Sequence, residues 1–428
     1  MSAAQSMDLA ALRAAAERGS VEHAFALAQA LVAQECMDEA LQWHLRAAQA
    51  GHPGAQVEYA RMRLYGIVGA PAPQEALAWF ERAERAGHPV AAEYLVKLAV
   101  GGVALPRDMR MNERLLRGVQ GEHAPSLLAA AVHFGRKPHG DDQSLCLQLL
   151  ERGAARGDIA AAVLLAERLA HGEGCEAQAD AARELWMQLE AAGVERMPDF
   201  TLPPPGPTDA PPRQLALEEA LSPPEARVLS TQPRVSVIDR LLSADECRLL
   251  IVHARPHLHA SRTLDPTSGQ ALNVDLRTSH DAQFDPVLES LAVRLVQWRM
   301  AAAAGLELVE AEPLIVLRYA PGQEYKPHRD YLPPASIARD GPQAGNRRRT
   351  ICVYLNPVAA GGATAFPVAG LQVEPQPGRA VVFDNMLYDD ASPQGRPDPD
   401  SLHAGLPVEA GEKWLATLWI RQGRYRAF

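Results

Sequence analysis

The sequence predicts two folded regions, an all-α helical-repeat solenoid followed by an antiparallel β-sandwich or barrel. Three observations predict this order. Residues 1–196 are rich in Ala, Leu, Glu and Arg, which favour helix, and a glycine-centred phrase recurs within them. Residues 197–226 form a Pro-rich linker. Residues 227–428 contain short alternating segments separated by Gly, Asn and Pro turns, a pattern typical of antiparallel β structure.

The repeated phrase of the first region has a nearly constant spacing. Its marker residues, Gly19, Gly51, Gly87, Gly121, Gly157 and Gly193, are 32, 36, 34, 36 and 36 residues apart. A period in this range is typical of stacked helix pairs. We expect each marker to follow a helix as a left-handed residue, because glycine has no Cβ to clash there. Trp43, Trp79 and Trp186 precede markers and are interpreted as repeat core.

The linker at residues 197–226 lacks apolar periodicity. We expect an extended, semi-rigid spacer, interrupted by a short helix at residues 214–221. A ligand for an SH3-type domain is the alternative interpretation of its prolines.

The second region begins with an alternating strand at residues 234–242. Ser243 is a good N-cap before an acidic first turn, so residues 243–252 are predicted to be helical. A second helix is predicted at residues 285–304. Further strands are predicted at residues 314–319, 349–356, 361–366, 371–375, 378–383, 401–408 and 413–420.

A His-x-Asp pair, His328 and Asp330, follows one of the predicted strands. Side chains two residues apart on extended chain share a face, so this imidazole and carboxylate are placed to share a metal ion. By spacing alone the pair equals His139 and Asp141, which no strand precedes. His403 is the only histidine after residue 330. It completes a 2-His-1-carboxylate set, which leaves three iron positions open for a cosubstrate and O₂.

Lys413 begins a strand that is otherwise apolar, ten residues after His403. A lysine buried there requires an anion, because desolvating an unpaired charge is costly. The distal carboxylate of 2-oxoglutarate is the anion that such a site needs. A lysine that caps the strand end in solvent is the alternative.

The composition indicates a soluble globular protein and excludes several classes of function. Of the 428 residues, 47% are hydrophobic, and the net charge of −10 predicts no nucleic-acid partner. No run of about 18 apolar residues predicts a membrane span, and the N-terminus does not resemble a signal peptide. The five cysteines are scattered without zinc-type spacing, so we expect free thiols and a cytoplasmic location.

The repeated phrase Ala-x-x-Gly-x-x-x-Ala, with Leu and Tyr-Gly after it, resembles Sel1-like repeats, which are related to tetratricopeptide repeats. The resemblance covers about residues 10–195. It implies a right-handed superhelix whose concave surface contacts other proteins. Recruitment of a protein partner or substrate is therefore one hypothesis for the array, and a scaffold that only stabilises its neighbour is the other.

Five phrases of the second region occur together in one known family. They are Tyr319-x-x-Gly-Gln-x-Tyr325-x-x-His328-x-Asp330, Arg349-Thr-x-x-x-Tyr-Leu-Asn, Gly361-Gly-x-Thr364-x-Phe366, Pro377-Gly-x-Ala-x-x-Phe383 and Ser401-Leu-His403-x-Gly-x-Pro-Val-x-x-Gly411-x-Lys413-Trp. Residues 228–425 thereby resemble the prolyl 4-hydroxylase family of Fe(II)/2-oxoglutarate dioxygenases. The resemblance implies a double-stranded β-helix, or jelly roll, with flanking helices.

The same resemblance implies roles for individual residues. It implies that His328, Asp330 and His403 bind Fe(II), and that Lys413 anchors 2-oxoglutarate in a pocket lined by Tyr319, Tyr354 and Thr364. It also implies substrate-side, catalytic roles for Arg277, Tyr325 and Arg347. O₂ is the second cosubstrate, and ascorbate is the expected reductant.

The function expected from this resemblance is hydroxylation of proline in a protein or peptide, with the repeat array recruiting a partner or the substrate. Two alternatives stay open. One is a related dioxygenase that hydroxylates another residue or a small molecule. The other is a repeat-based interaction scaffold whose dioxygenase domain is inactive.

Overall fold

The computed structural model describes residues 9–428 except residues 109, 206–210, 262, 265–270, 273–275, 286, 288 and 391. Part of the predicted linker, 206–210, therefore lies outside the described residues. By compactness the described chain forms two units. One contains the residues up to His123 together with Ala427 and Phe428, and the other is Ala124–Arg426. The domain boundaries predicted at residues 196 and 226 stay a prediction.

The first unit is built from helices that pack on their neighbours in the sequence. They are α1 (Leu9–Glu17), α2 (Val21–Ala33), α3 (Met37–Gln49), α4 (Pro53–Tyr65), α5 (Pro73–Arg85), α6 (Pro89–Gly101) and α7 (Arg110–Gln120). Alanine, leucine and aromatic side chains fill their shared core, which includes Trp43 and Trp79 as predicted. Small alanine side chains allow this close approach of helix to helix.

The marker glycines end helices as predicted at five positions, where φ lies between 79° and 96°. At Gly121 the prediction is wrong, because Glu122 takes the left-handed conformation with a φ of 56°. Helix α7 extends one residue further than its counterparts, so the backbone amide of His123 donates to the carbonyl of Gly118. In every repeat the left-handed residue is the second residue after the end of the helix, but in this repeat that residue is Glu122 and the glycine comes one position earlier.

Seven helices lie in the described part of the second unit. They are α8 (Ala124–Gly135), α9 (Gly140–Ala155), α10 (Ile159–His171), α11 (Ala179–Ala191), α12 (Ala244–Ala254), α13 (Leu291–Ala303) and α14 (Pro334–Asp340). Helix α12 begins as predicted, with a capping box in which Ser243 and Glu246 each accept the other's backbone amide. Helix α13 begins later than predicted, because Ser290 caps it by accepting from the amide of Val293. The predicted short helix is a 3₁₀ turn at Leu217–Leu221.

None of the described helices combines the length and the apolar content that crossing a bilayer requires.

The strands of the second unit pair in antiparallel fashion. They are β1 (Arg227–Thr231), β2 (Arg234–Ile238), β3 (His259–Ala260), β4 (Thr263–Leu264), β5 (Ala271–Leu272), β6 (His280–Phe284), β7 (Leu314–Tyr319), β8 (Tyr325–His328), β9 (Arg347–Tyr354), β10 (Ala360–Gly361), β11 (Thr364–Phe366), β12 (Leu371–Val373), β13 (Ala380–Asp384), β14 (Met386–Asp389), β15 (Ser392–Pro397), β16 (His403–Gly405), β17 (Val408–Ala410) and β18 (Lys413–Arg421). They confirm the predicted change from helices to short strands.

Two of the sheets enclose the core of this unit. The major sheet has the order β1-β2-β13-β9-β18-β7-β6-β3, and the minor sheet has the order β12-β11-β16-β8. Apolar side chains of both sheets meet in one cluster, in which Phe366 and Val373 come from the minor sheet and Phe383 and Leu415 from the major sheet. This arrangement is the predicted jelly roll, with α12 and α13 as flanking helices.

Buried ion pairs connect α10 of the repeat array to α12. The guanidinium of Arg168 donates to both carboxylate oxygens of Asp245, at 3.1 and 3.0 Å from Nε, and both side chains are buried. Gly135 makes room for this pair, because a Cβ there would lie 2.3 Å from the Oδ2 of Asp245. Arg248 of α12 binds Glu173 through two hydrogen bonds of 2.6 and 3.0 Å. These buried pairs therefore tie α10, and Glu173 just after it, to α12.

Removing one partner of the buried pair should destabilise this unit. We predict that Arg168→Met lowers the free energy of unfolding by about 3 kcal/mol, because it leaves the buried Asp245 carboxylate with Arg248 as its one remaining cationic partner among the described residues. Urea denaturation measures the change. Arg183→Met is the matched control, since Arg183 pairs with Asp180 at the surface and its loss should leave stability nearly unchanged. Equal effects of the two substitutions would contradict the prediction.

Candidate active site

The candidate site begins where β8 and β16 pair at the edge of the minor sheet. Their register places His328 directly opposite His403, and Asp330 follows two residues after His328. The three potential ligand atoms lie within 4.8 Å of one another. The Nε2 atoms of His328 and His403 are each 3.6 Å from one oxygen of Asp330. In the described part of the chain, no other trio of His, Cys, Asp or Glu side chains meets this spacing.

Backbone carbonyls orient both imidazoles. The Nδ1 atom of His328 is 2.8 Å from the carbonyl of Lys326, and the Nδ1 of His403 is 3.0 Å from the carbonyl of Ser401. A carbonyl only accepts, so each Nδ1 carries the proton and each Nε2 lone pair is available to a metal. The pKa of His403 is lowered to about 4, chiefly by burial and to a lesser extent by repulsion from His328. The His403 ring is therefore neutral at pH 7.

Asp330 stays a carboxylate although it is buried. Burial alone would raise its pKa, but in the acid range where Asp330 would take up a proton the His403 ring is cationic, and its attraction outweighs burial and holds the pKa of Asp330 well below its usual range. The hydroxyl of Thr350 donates to the Oδ2 of Asp330 at 2.8 Å. Two neutral imidazole nitrogens and one carboxylate are the donor set that non-haem Fe(II) prefers, so the trio fits this metal.

Lys413 begins β18 and lies directly opposite Tyr319 on the neighbouring strand β7. It is buried, and its Nζ atom is 5.3 Å from the ring of Tyr319 and 5.4 Å from that of Tyr354. No carboxylate of the described residues forms an ion pair with it. Burial lowers the pKa of Lys413 to about 8, because among the described residues only the nearby Cys352 opposes its desolvation. The site therefore fits an anionic ligand, and the solvent-exposed alternative is excluded.

One cavity joins the trio of His328, Asp330 and His403 to Lys413. Eight of the ten predicted site residues line it: Arg277, Tyr319, Tyr325, His328, Asp330, Thr364, His403 and Lys413. Apolar or weakly polar side chains, among them Leu317, Cys352 and Leu415, complete its wall. Tyr354 and Arg347 are not part of this lining.

Two comparisons with known proteins identify the family. The model of the 2OG-Fe(II) oxygenase superfamily matches residues 314–421, which include the trio and Lys413. Prolyl 4-hydroxylase 1 of Arabidopsis thaliana is 36% identical over 214 residues, which are 46% of this chain and 71% of that protein. The chain belongs to the prolyl 4-hydroxylase family of 2OG-Fe(II) oxygenases. It is a 2-oxoglutarate-dependent dioxygenase, and its family implies Fe(II), 2-oxoglutarate and O₂.

Other known proteins are similar to parts of the chain. Probable prolyl 4-hydroxylase 10 of the same plant is 33% identical over 218 residues, 46% of this chain and 72% of that protein. The 2OG complex of the viral collagen prolyl hydroxylase of Paramecium Bursaria Chlorella virus-1 is 28% identical, with a TM-score of 0.33 over 44% of this chain and 95% of that one. A Sel1 repeat protein from Oxalobacter formigenes is 22% identical, with a TM-score of 0.38 over 42% of this chain and 75% of that one.

In this prolyl 4-hydroxylase relative, Tyr354 supports the pocket from outside its lining. Its hydroxyl donates to the carbonyl of Val373 at 2.9 Å and lies 2.6 Å from the hydroxyl of Thr364. Because the phenol proton goes to the carbonyl, Thr364 donates to Tyr354. Tyr354 therefore orients the Thr364 side chain, and its own hydroxyl is fully engaged.

Arg347 is also engaged away from the cavity. Its guanidinium binds both carboxylate oxygens of Glu312 at 2.8 Å and stacks 3.7 Å from the ring of Trp419. Its Nη1 atom is 3.4 Å from the carbonyl of Asp330. Glu312 was not identified from the sequence, since nothing in its spacing links it to Arg347, 35 residues later.

Arg277 and Tyr325 lie together above the trio. The ring of Tyr325 stacks on that of His328 with centroids 3.4 Å apart, and the Arg277 guanidinium lies 5.5 Å from the Tyr325 ring. Asp281 accepts a 2.6 Å hydrogen bond from Arg277 and fixes it there. The Arg277-x-x-x-Asp281 spacing is a signal from which this pair could have been found.

The ligand trio predicts a direct metal-binding result for this dioxygenase. His403→Ala removes one of three donors, so we expect Fe(II) affinity, measured by anaerobic titration, to fall at least about 100-fold. His139→Ala is the control. His139 caps α9 by accepting from the amide of Asp141, away from the trio, so affinity should stay unchanged. Undiminished Fe(II) binding by the His403 variant would contradict the assignment.

Proposed function

We propose that this dioxygenase hydroxylates proline in a protein or peptide, with His328, Asp330 and His403 holding Fe(II) and Lys413 binding 2-oxoglutarate. The observation that carries the proposal is one cavity in which a 2-His-1-carboxylate trio and a buried lysine without a described anionic partner lie together. Relatives named as prolyl 4-hydroxylases support proline as the substrate.

The residues of the cavity have different roles in the proposed reaction. Bound iron supplies the oxidative decarboxylation of 2-oxoglutarate that is coupled to hydroxylation of a carbon–hydrogen bond. Protonated Lys413 pairs with the distal carboxylate, while Tyr319 and Thr364 shape the pocket around it. Leu317 and Leu415 keep water away, which strengthens the ion pair.

The substrate side of the cavity is assigned to Arg277 and Tyr325. Both line the cavity next to His328, and a guanidinium and a phenol are suited to hydrogen-bond peptide carbonyls. Arg347 acts here by holding Trp419 and the backbone of Asp330, which its contacts with Glu312 support. Ascorbate as reductant and a cytoplasmic location complete the proposal as predictions.

The helical repeats are proposed to recruit a protein partner or the substrate protein. The stacked helix pairs and the Sel1-like phrase support this role, because such arrays offer an extended surface for protein contact. The net charge of −10 favours a protein over a nucleic acid as the partner. No membrane partner is proposed.

The lowered pKa of Lys413 predicts how 2-oxoglutarate binding depends on pH. Only protonated lysine pairs with the carboxylate, so affinity should be constant below about pH 8 and fall up to tenfold per unit above it. Lys413→Met should weaken binding about 10- to 100-fold at pH 7, since a charge-assisted hydrogen bond is lost. Calorimetric titrations between pH 7 and 9.5 measure both effects.

Lys413→Arg is the control for this pH dependence. A guanidinium stays charged throughout the range, so any affinity that remains should not fall above pH 8. A wild-type affinity that is flat to pH 9.5 would contradict the role of Lys413.

Activity itself is tested on the full chain with Fe(II), 2-oxoglutarate and proline-containing peptides. We expect succinate formation and a mass gain of one oxygen on proline, both abolished in His328→Ala. The immobilised full chain should also capture proteins that contain hydroxyproline, which tests recruitment. Oxygen added only to another residue or a small molecule would favour the related-dioxygenase alternative. Absence of 2-oxoglutarate turnover would favour the scaffold.

A further inference from the structure

A buried chain of hydrogen bonds leads away from the carboxylate ligand into the jelly-roll core. Thr350 of β9 donates its hydroxyl proton to the Oδ2 of Asp330 at 2.8 Å. The same hydroxyl oxygen accepts from the Nδ2 of Asn385 at 2.8 Å. Thr350 and Asn385 are both 0% exposed. Every donor in this segment points toward the carboxylate, so each hydrogen bond polarises the next.

The backbone of Asn385 continues the chain to the second histidine ligand. Its carbonyl accepts from the amide of Asp398 at 2.9 Å, and the carbonyl of Asp398 accepts from the hydroxyl of Ser401 at 2.7 Å. The carbonyl of Ser401 accepts from the Nδ1 of His403 at 3.0 Å. Asp398 and Ser401 are also 0% exposed. Two metal ligands from distant parts of the sequence are thus joined through buried groups.

The buried side-chain amide of Asn385 costs folding free energy. Its Oδ1 atom is buried and has no hydrogen-bond partner among the described residues. Leaving a buried acceptor unsatisfied costs about 1–3 kcal/mol, which an apolar side chain would avoid. The amide is therefore best explained by the hydrogen bond that its Nδ2 donates to Thr350.

We propose that Thr350 and Asn385 are positioning residues that hold the Asp330 carboxylate in its metal-binding orientation and link it to the turn that precedes His403. This inference rests on the proposed function, because it assigns roles toward the Fe(II) that the trio is proposed to hold. Neither residue lines the cavity, so they act through the ligands and not on 2-oxoglutarate or substrate. Groups that orient metal ligands from behind typically change metal affinity 10- to 100-fold when they are lost.

The test measures Fe(II) affinity by anaerobic titration of full-length variants. Thr350→Val keeps the shape of the side chain but loses the hydroxyl, so Fe(II) affinity should fall about 10- to 100-fold. Thr350→Ser restores the hydroxyl and should return affinity to within about threefold of wild type. Asn385→Ala removes only the outer donor, so a smaller loss than that of Thr350→Val is expected.

Ser236→Ala is the control for loss of a buried hydroxyl. Ser236 is a buried residue of β2 in the same sheet, where it pairs with Val382, and it does not line the cavity. The variant should keep wild-type Fe(II) affinity. Equal losses for Ser236→Ala and Thr350→Val, or wild-type affinity in Thr350→Val, would overturn the inference.

Two further outcomes are distinguishable. If circular dichroism shows that Thr350→Val is unfolded, Thr350→Ser and Asn385→Ala decide the test. Wild-type Fe(II) affinity in Asn385→Ala overturns the inference, and so does an affinity loss of about tenfold in Thr350→Ser. If the wild-type protein binds no Fe(II), the proposed function itself fails.

Discussion

The pairing of β8 with β16 is the contact on which the site depends. It sets His328 opposite His403, although 75 residues separate them in the sequence. A slip of one residue would turn every side chain of a strand to the other face, so this register decides whether a ligand trio exists at all. Packing between the two sheets supports the register of β8 with β16. Phe366 of β11, the strand next to β16, is buried in the apolar cluster between the sheets.

Charge is buried in two different ways in the second unit. Where α10 and α12 meet, each buried cation has a carboxylate beside it, as for Arg168 with Asp245 and Arg248 with Glu173. Such pairs add little net stability but disfavour other arrangements of the helices, which lack matched partners. Lys413 departs from this rule among the described residues. The buried ammonium of Lys413 therefore marks the place where the anion of a ligand would bind.

The sequence predicted the parts of the site that lie within short phrases. His328, Asp330, His403 and Lys413 were identifiable because strand parity, the single downstream histidine and an apolar strand with one lysine each carry a physical reason. Contacts made between strands were not identifiable. Glu312 and Asn385 reach their partners only after the sheets form, and no local periodicity encodes such a meeting. The left-handed residue near Gly121 escaped prediction for a related reason, since a one-residue extension of α7 moved it to Glu122.

The carbonyls that orient the two imidazoles have a further consequence. Each lies only two residues before its histidine, so the ring is held by its own stretch of chain. The correct tautomer is thus selected before any metal arrives, and little rotational freedom is left to lose on binding. Under the proposed function, an Fe(II) ion that leaves the trio would leave behind two imidazoles that these carbonyls still hold in place. Reloading of the site would then require no refolding of the two ligand segments.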